Sequence, residues 1–204
     1  MFLSRLRTFL ASVGLCFLVF FAAVPKASAA NLVQNPIFDV SYDDWSESGT
    51  GFGFTRQWHP LDANDDPASG SFQMELEPTT GSVFLSGLFQ SVPIEELTDY
   101  TFGADILMPE SQSSAHKAQV FMTTFEDPQC FGSHQGLVVA TGFVSQQGEW
   151  ETVATDLETP ESAQCARVWF RVIGSVGNVL SVHYDNAFVF DSFELEGIFR
   201  SGFE

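Results

Sequence analysis

The residues of this 204-residue chain that could do covalent or metal chemistry show little spacing that marks a site. The four histidines, His59, His116, His134 and His183, show no metal-ligand spacing and have no nucleophile motif beside them. Asp and Glu total 26, so counting alone permits a glycosidase-like pair of carboxylates, but a solvated acidic surface displays the same numbers. Aromatics set among cations are more distinctive. Arg167, Trp169 and Arg171 alternate with Val168, Phe170 and Val172; Gln119 and Phe121 alternate with Ala118, Val120 and Met122. On a strand, alternation sends one set inward and the other outward. An outward Trp and Phe flanked by Arg and Gln form an apolar platform with a few orienting polar groups. Lys117 shares these two segments with Arg167 and Arg171. In the competing reading a loop covers Trp169 and the arginines neutralise nearby acids. Trp58, with Arg56 and His59, is a second platform, at a strand end leading into an acidic loop. The alternative there is burial beside Phe52 and Phe54.

The elements that position these residues are strands. Period-two patterning recurs at Phe52–Trp58, Ser71–Leu76, Tyr100–Ile106, Ala118–Met122, Val153–Leu157, Val168–Val172 and Ser181–Phe190. Gly, Pro, Asn and Asp clusters punctuate them, at 62–70, 78–81, 109–114, 127–136, 146–149 and 174–178. Helical periodicity is nearly absent; Pro93–Leu97 is one turn at most. Eight or more short strands predict an all-β fold, a two-sheet antiparallel β-sandwich of the jelly-roll kind. Seventeen phenylalanines after residue 30 suit its core.

Arg5 and Arg7, an apolar run over 8–24 and the small residues before Ala30 describe a signal peptide over 1–30, cut near Ala29 or Ala30. The expectation is a secreted, extracellular or periplasmic protein with one domain over 31–192 and a tail over 193–204. No second hydrophobic span follows, so no membrane span is expected in the mature chain. Without residues 1–30, five Lys and Arg face 26 Asp and Glu, a net −21. Such a field argues against nucleic acid, anionic membranes and strongly anionic polysaccharides, unless calcium bridges the last. Cys130 and Cys165 form an even pair without CxxC spacing, which in an oxidising compartment predicts a disulfide; two buried thiols are the alternative.

Five landmarks resemble the galactose-binding-like jelly rolls, above all the cellulose- and xylan-binding carbohydrate-binding modules. They are Asn31-Leu32-Val33-Gln34-Asn35-Pro36-Ile37-Phe38-Asp39 with Trp45; Ser69-Gly70-Ser71-Phe72; Gln90-Ser91-Val92 through Tyr100-Thr101-Phe102; Gly148-Glu149-Trp150; and Tyr184-Asp185-Asn186. The resemblance implies a structural calcium held by Asp39, Gly70 or Ser71, and Asp185, oxygen ligands of the kind calcium takes. The alternative is that the carboxylates bond turn amides. It also implies that Trp45 and Trp150 are core and that the outward Trp169 surface, or the Trp58 rim, takes a poly- or oligosaccharide. Asp62, Asn64 and Asp66 have a D-x-N-x-D spacing but Pro67 replaces the loop glycine, and the segment reads as a solvated acidic loop. Such modules usually accompany catalytic domains, so the expected role is non-catalytic binding. A surface or matrix protein, to which the tail Ile198–Glu204 points weakly, and an accessory of a polysaccharide hydrolase or lyase are the alternatives.

Overall fold

The structure, a computed structural model, describes residues 30–48, 54–76, 83–132, 138–174 and 179–192. Residues 1–29 of the signal peptide expected over 1–30, Phe52, His134 and the expected tail over 193–204 lie outside the described residues. Among the described residues ten strands follow one another: β1 Ser46–Glu47, β2 Phe54–His59, β3 Ser71–Leu76, β4 Val83–Pro93, β5 Asp99–Leu107, β6 Lys117–Phe125, β7 Val138–Ala140, β8 Trp150–Glu158, β9 Cys165–Gly174 and β10 Leu180–Asp191. They pair antiparallel in two five-stranded sheets. Sheet A runs β1-β4-β9-β6-β7 and sheet B runs β2-β3-β10-β5-β8. This is the predicted all-β sandwich.

The inward set is the one alternation selects. Ala118, Val120 and Met122 of β6 and Val168, Phe170 and Val172 of β9 meet Phe72, Met74, Phe102, Ile106 and Tyr184 of the opposing sheet. Aromatics occupy the centre: Phe170 stacks on Tyr184 at 4.3 Å and on Trp45 at 4.7 Å. The opening segment closes one end of this core. Asn31 bonds the backbone of Ala187 and Val189 on β10, and Phe38 is fully buried against Trp45, Phe72 and Phe170. Gln90 of β4 holds the segment with a paired amide, accepting from Gln34 N at 2.7 Å and donating to Gln34 O at 2.9 Å. Trp45 is core, as expected. Trp150 is not: it pairs with Leu107 on the outer side of sheet B, 6.4 Å from the His183 ring.

Two fastenings act at the edges. The Cys130–Cys165 disulfide is formed, fixing the turn after β6 to the start of β9. Arg56 bridges the open edge between the sheets, donating to Gly87 O at 3.2 Å and to Ser48 O, and pairing with Glu47 at 3.3 Å. With Cys130→Ser and Cys165→Ser together, unfolding stability is expected to fall by ~4 kcal/mol for a 35-residue loop. Arg56→Ala, which leaves two edge carbonyls without that donor, is expected to cost about 2 kcal/mol. Denaturant titration measures both; changes under ~0.5 kcal/mol, the scale of ordinary surface substitutions, would contradict these roles.

Candidate functional site

Packing Val168, Phe170 and Val172 inward leaves Arg167, Trp169 and Arg171 on the outer face of sheet A, as alternation requires. Register brings Phe89 of β4 and Phe121 of β6 to either side of Trp169. The Trp169 ring lies 4.6 Å from Phe89 and 5.5 Å from Phe121, nearly parallel to the latter at 7°. Its indole N–H donates to Thr123 Oγ1 at 3.1 Å. A guanidinium caps each end of this row. Arg171 sits 3.6 Å from the Phe121 centroid; Arg167 sits 4.8 Å from Phe89 and 5.0 Å from Phe125. Burial holds both arginines below their ordinary pKa, with Tyr184 opposing this at Arg171.

The side on which each residue falls matches the sequence reading, but depth differs. Trp169, Arg167 and Arg171 are partly exposed. Phe121 and Gln119 are only 5% and 3% exposed, so neither is the open surface that alternation suggested. The strip after β7 runs along β6 at this point: Ala118 and Val144 exchange backbone bonds, and Thr141 Oγ1 accepts from Val120 N. Phe121 therefore props Trp169, and its ring is stacked with that indole and with Arg171.

The Trp58 rim is corrected more fully. Trp58 pairs with Phe72 on the core side of β2, and its indole N–H donates to Phe38 O at 2.7 Å. Its neighbour Arg56 is committed to the sheet edge described above. Both serve the fold, because β2 is an edge strand whose inward residues roof the gap between sheets. Gly70 has a reason of its own: a Cβ there would collide with His59 O and lie 2.7 Å from the Trp58 ring.

The predicted cation site divides likewise. The opening segment, the Gly-Ser turn and the last strand do converge: Ser69 donates to Ile37 O at 2.6 Å and Ala187 N to Pro36 O at 2.9 Å. Asp39, however, is exposed. The carboxylate beside Asp185 belongs instead to Asp62, in the loop read as solvated but turned inward to 5% exposure. Asp62 accepts from Asn64 N at 2.7 Å and Asp66 N at 2.8 Å; Asp185, fully buried, accepts from Ala63 N and Asn186 N. Burial, then the Asp62 charge, raises Asp185 to about 7 despite its two backbone donors. Burial also pushes Asp62 upward, but its hydrogen bonds from Asp66, Asn64, Ser69 and Asp185 outweigh this and hold it low. One proton shared between the two carboxyls, residing on Asp185, accounts for both directions. Among the described residues no three His, Cys, Asp or Glu side chains form a metal-binding group.

Beside this pair, Ser71 Oγ and His183 Nδ1 hydrogen-bond at 3.1 Å, with the His59 ring 4.7 Å from His183. A serine and histidine at this distance resemble a nucleophile with its base, but Ser71 is 0% and His183 3% exposed, so no substrate reaches them. Burial, then His59, lowers His183 to about 4. The sequence reading missed this cluster; the signal was His183 and Asp185 two apart on the outward register of β10, opposite Ser71 and the acidic loop.

The geometry belongs to a known architecture. No protein-family model matches the sequence, and no curated protein does. Among solved structures, a family 61 carbohydrate-binding module in complex with β-1,4-galactotriose is 15% identical, with a TM-score of 0.51 over 80% of this chain and 99% of the module. A family 16 carbohydrate-binding module is also 15% identical, with a TM-score of 0.50 over 79% of this chain and 100% of the module. The enzymatically active domain of tailspike protein 4 from bacteriophage CBA120 is 19% identical, with a TM-score of 0.60 over 79% of this chain. This chain spans 21% of that domain's length. The shared feature is the fold, that of jelly-roll carbohydrate-binding modules.

The buried Asp185 and His183 have opposite linkage to pH. Native Asp185 keeps a proton that the unfolded chain releases, so its contribution to stability falls as pH rises from about 4 to about 7. Native His183 refuses a proton that the unfolded chain binds below about 6.5, so its contribution grows as pH rises from about 4 to 6.5. Across that shared window the two offset. In the presence of chelator, Asp185→Asn is expected to make stability rise with pH relative to the parent protein, by at most ~1.4 kcal/mol per pH unit, and His183→Gln to make it fall. Denaturant titrations between pH 4.5 and 6.5 read both slopes, and equal slopes in the two variants would refute the offset.

Proposed function

We propose that this protein is a secreted, non-catalytic carbohydrate-binding module that grips an oligo- or polysaccharide on the outer face of sheet A. The observation that carries the reading is Trp169: partly exposed, braced by Phe89 and Phe121, and fixed by its bond to Thr123. A rigid aromatic loses little entropy on meeting the C–H face of a sugar, while Arg167, Arg171 and Ser91, the first and last hydrogen-bonded to each other, line the same face with polar groups for its hydroxyls. The likeness to modules that include one bound to galactotriose supports the class of ligand. The absence of catalysis is part of the proposal, supported by the sealing of the Ser71–His183 pair.

The donor set at Asp62 and Asp185 fits calcium, which takes carboxylate oxygens and would replace their shared proton. Asp62 and Asp185 would hold the ion, with Asp39 and the Gly70–Ser71 turn on the segments converging there. Calcium there would supply charge compensation, and Asp62 and Asp185 as its ligands would tie the acidic loop to β10.

A glycan array followed by titration with the best polysaccharide tests the binding. Trp169→Ala is expected to weaken binding tenfold or more, whereas Trp58→Phe leaves it within twofold. Undiminished binding by Trp169→Ala, or release of reducing sugar by the parent protein, would overturn the reading. Chelator is expected to lower the melting temperature at pH 8, where Asp185 has lost its proton, and an unchanged melt there would discard the calcium.

A further inference from the structure

The outer faces of the two sheets carry opposite charge. Register places Lys117, Gln119, Phe121, Thr123 and Phe125 of β6, Arg167, Trp169, Arg171 and Ile173 of β9, and Phe89 and Ser91 of β4 on the outside of sheet A, with Ser46, Val138 and Ala140 at its edges. Among these described positions there are three cations and no carboxylate. Glu126 and Asp127 come only in the turn beyond β6, where Asp127 accepts from Gln129 N and Phe131 N. Outside sheet B the same alternation presents Glu75, Asp99, Asp105, Asp156, Glu158 and the buried Asp185, and neither Lys nor Arg. Lys117, Arg167 and Arg171 are three of only five Lys and Arg after residue 30; a fourth, Arg56, is in its ion pair with Glu47. In a chain with 26 acids, the platform face is the one kept clear of them.

Net charge is therefore a poor guide to this face. Packed sheets lie about 10 Å apart, and their outward side chains extend the distance further. The screening length at physiological ionic strength is about 8 Å, so acids outside sheet B act weakly across the sandwich. A ligand approaching Trp169 meets Arg167 and Arg171 first, their Cα atoms about 13 Å apart along the strand and the indole between them. Each guanidinium rests on an aromatic ring, which holds the fork in place. Fixed planar guanidinium groups match the forked oxygens of a carboxylate, the anion that sugar polymers carry as uronates.

We infer that the sugar gripped by this face is acidic: a polysaccharide carrying uronate carboxylates, with Arg167 and Arg171 reading carboxylates on either side of the residue at Trp169. This inference deepens the carbohydrate-binding proposal and rests on it. It also reverses the expectation, drawn from net charge, that anionic polysaccharides require a calcium bridge.

The test is calorimetric titration in chelator with sodium polygalacturonate, the same polymer after carboxyl reduction, neutral β-1,4-galactan and dextran sulfate. The expected result is binding of polygalacturonate at least tenfold tighter than of either neutral polymer, weakening tenfold or more between 50 and 500 mM salt on the order expected for charge-mediated contacts. Arg167→Gln and Arg171→Gln should each cost about tenfold for polygalacturonate and less than twofold for the reduced polymer. Arg167→Lys, which keeps the charge and loses the fork, should fall between. Melting curves show whether each variant is folded, and one that does not fold is replaced by its Lys counterpart. Equal or tighter binding of a neutral polymer, with both Gln variants unaffected, would overturn the acidic ligand while leaving carbohydrate binding intact. Binding of dextran sulfate alone would overturn the carboxylate. Binding of none of these polymers or of any glycan on the array would overturn both proposals.

Discussion

Every outward residue of interest here is placed by what its neighbours do inside. Val168, Phe170 and Val172 have nowhere to go but the core, where Phe170 stacks on Tyr184 and Trp45. Burying a Phe contributes about 2–3 kcal/mol. A one-residue slip of β9 would forfeit that contribution at each inward position while driving Arg167, Trp169 and Arg171 into the interior. The platform is thus a by-product of core registry, and its Trp169 ring is held by Phe89, Phe121 and Thr123. The same argument runs through β6, where Ala118, Val120 and Met122 fix Phe121 as the prop beneath Trp169.

Rigidity matters for the binding proposed for this face. Carbohydrate ligands present many hydroxyls already satisfied by water, so the net gain from each hydrogen bond is small. A preordered aromatic row with guanidinium groups at its ends gives a surface whose entropy is largely settled before the ligand arrives. The opposite face is organised for a different end. Its acidic loop folds back onto β10 and buries Asp62 against Asp185, beside a histidine kept neutral. That cluster is expensive to bury and gives no route for substrate, which fits a structural junction between the opening segment, the Gly-Ser turn and the last strand.

Much of this was legible from residue order, because β structure has a two-residue period and this core is aromatic and aliphatic without interruption. Strand existence, the sandwich, the disulfide partners and the side on which Trp169 falls all follow from local pattern. Depth does not. Phe121 and Gln119 fall on the expected side, but the Phe121 ring lies against Trp169 and under the Arg171 guanidinium, contacts from a neighbouring strand that alternation along one strand cannot reveal. Arg56 and Trp58 resemble a rim in the sequence because they sit beside a loop; their partners, Glu47, Gly87 and Phe38, are contributed by other strands and by the opening segment. Trp150 went the other way, resembling a core landmark yet lying outside sheet B. Asp62 was hidden for a related reason: a run of acids reads as solvated until a buried carboxyl is found opposite it.

The central claim is that Trp169, and no other tryptophan, meets the sugar. The four indole N–H signals in a nitrogen–proton correlation spectrum report this directly as a glycan fragment is added. The account predicts that the Trp169 signal moves in step with saturation while those of Trp45, Trp58 and Trp150 stay in place. A stationary Trp169 signal, with Trp58 or Trp150 shifting instead, would contradict it.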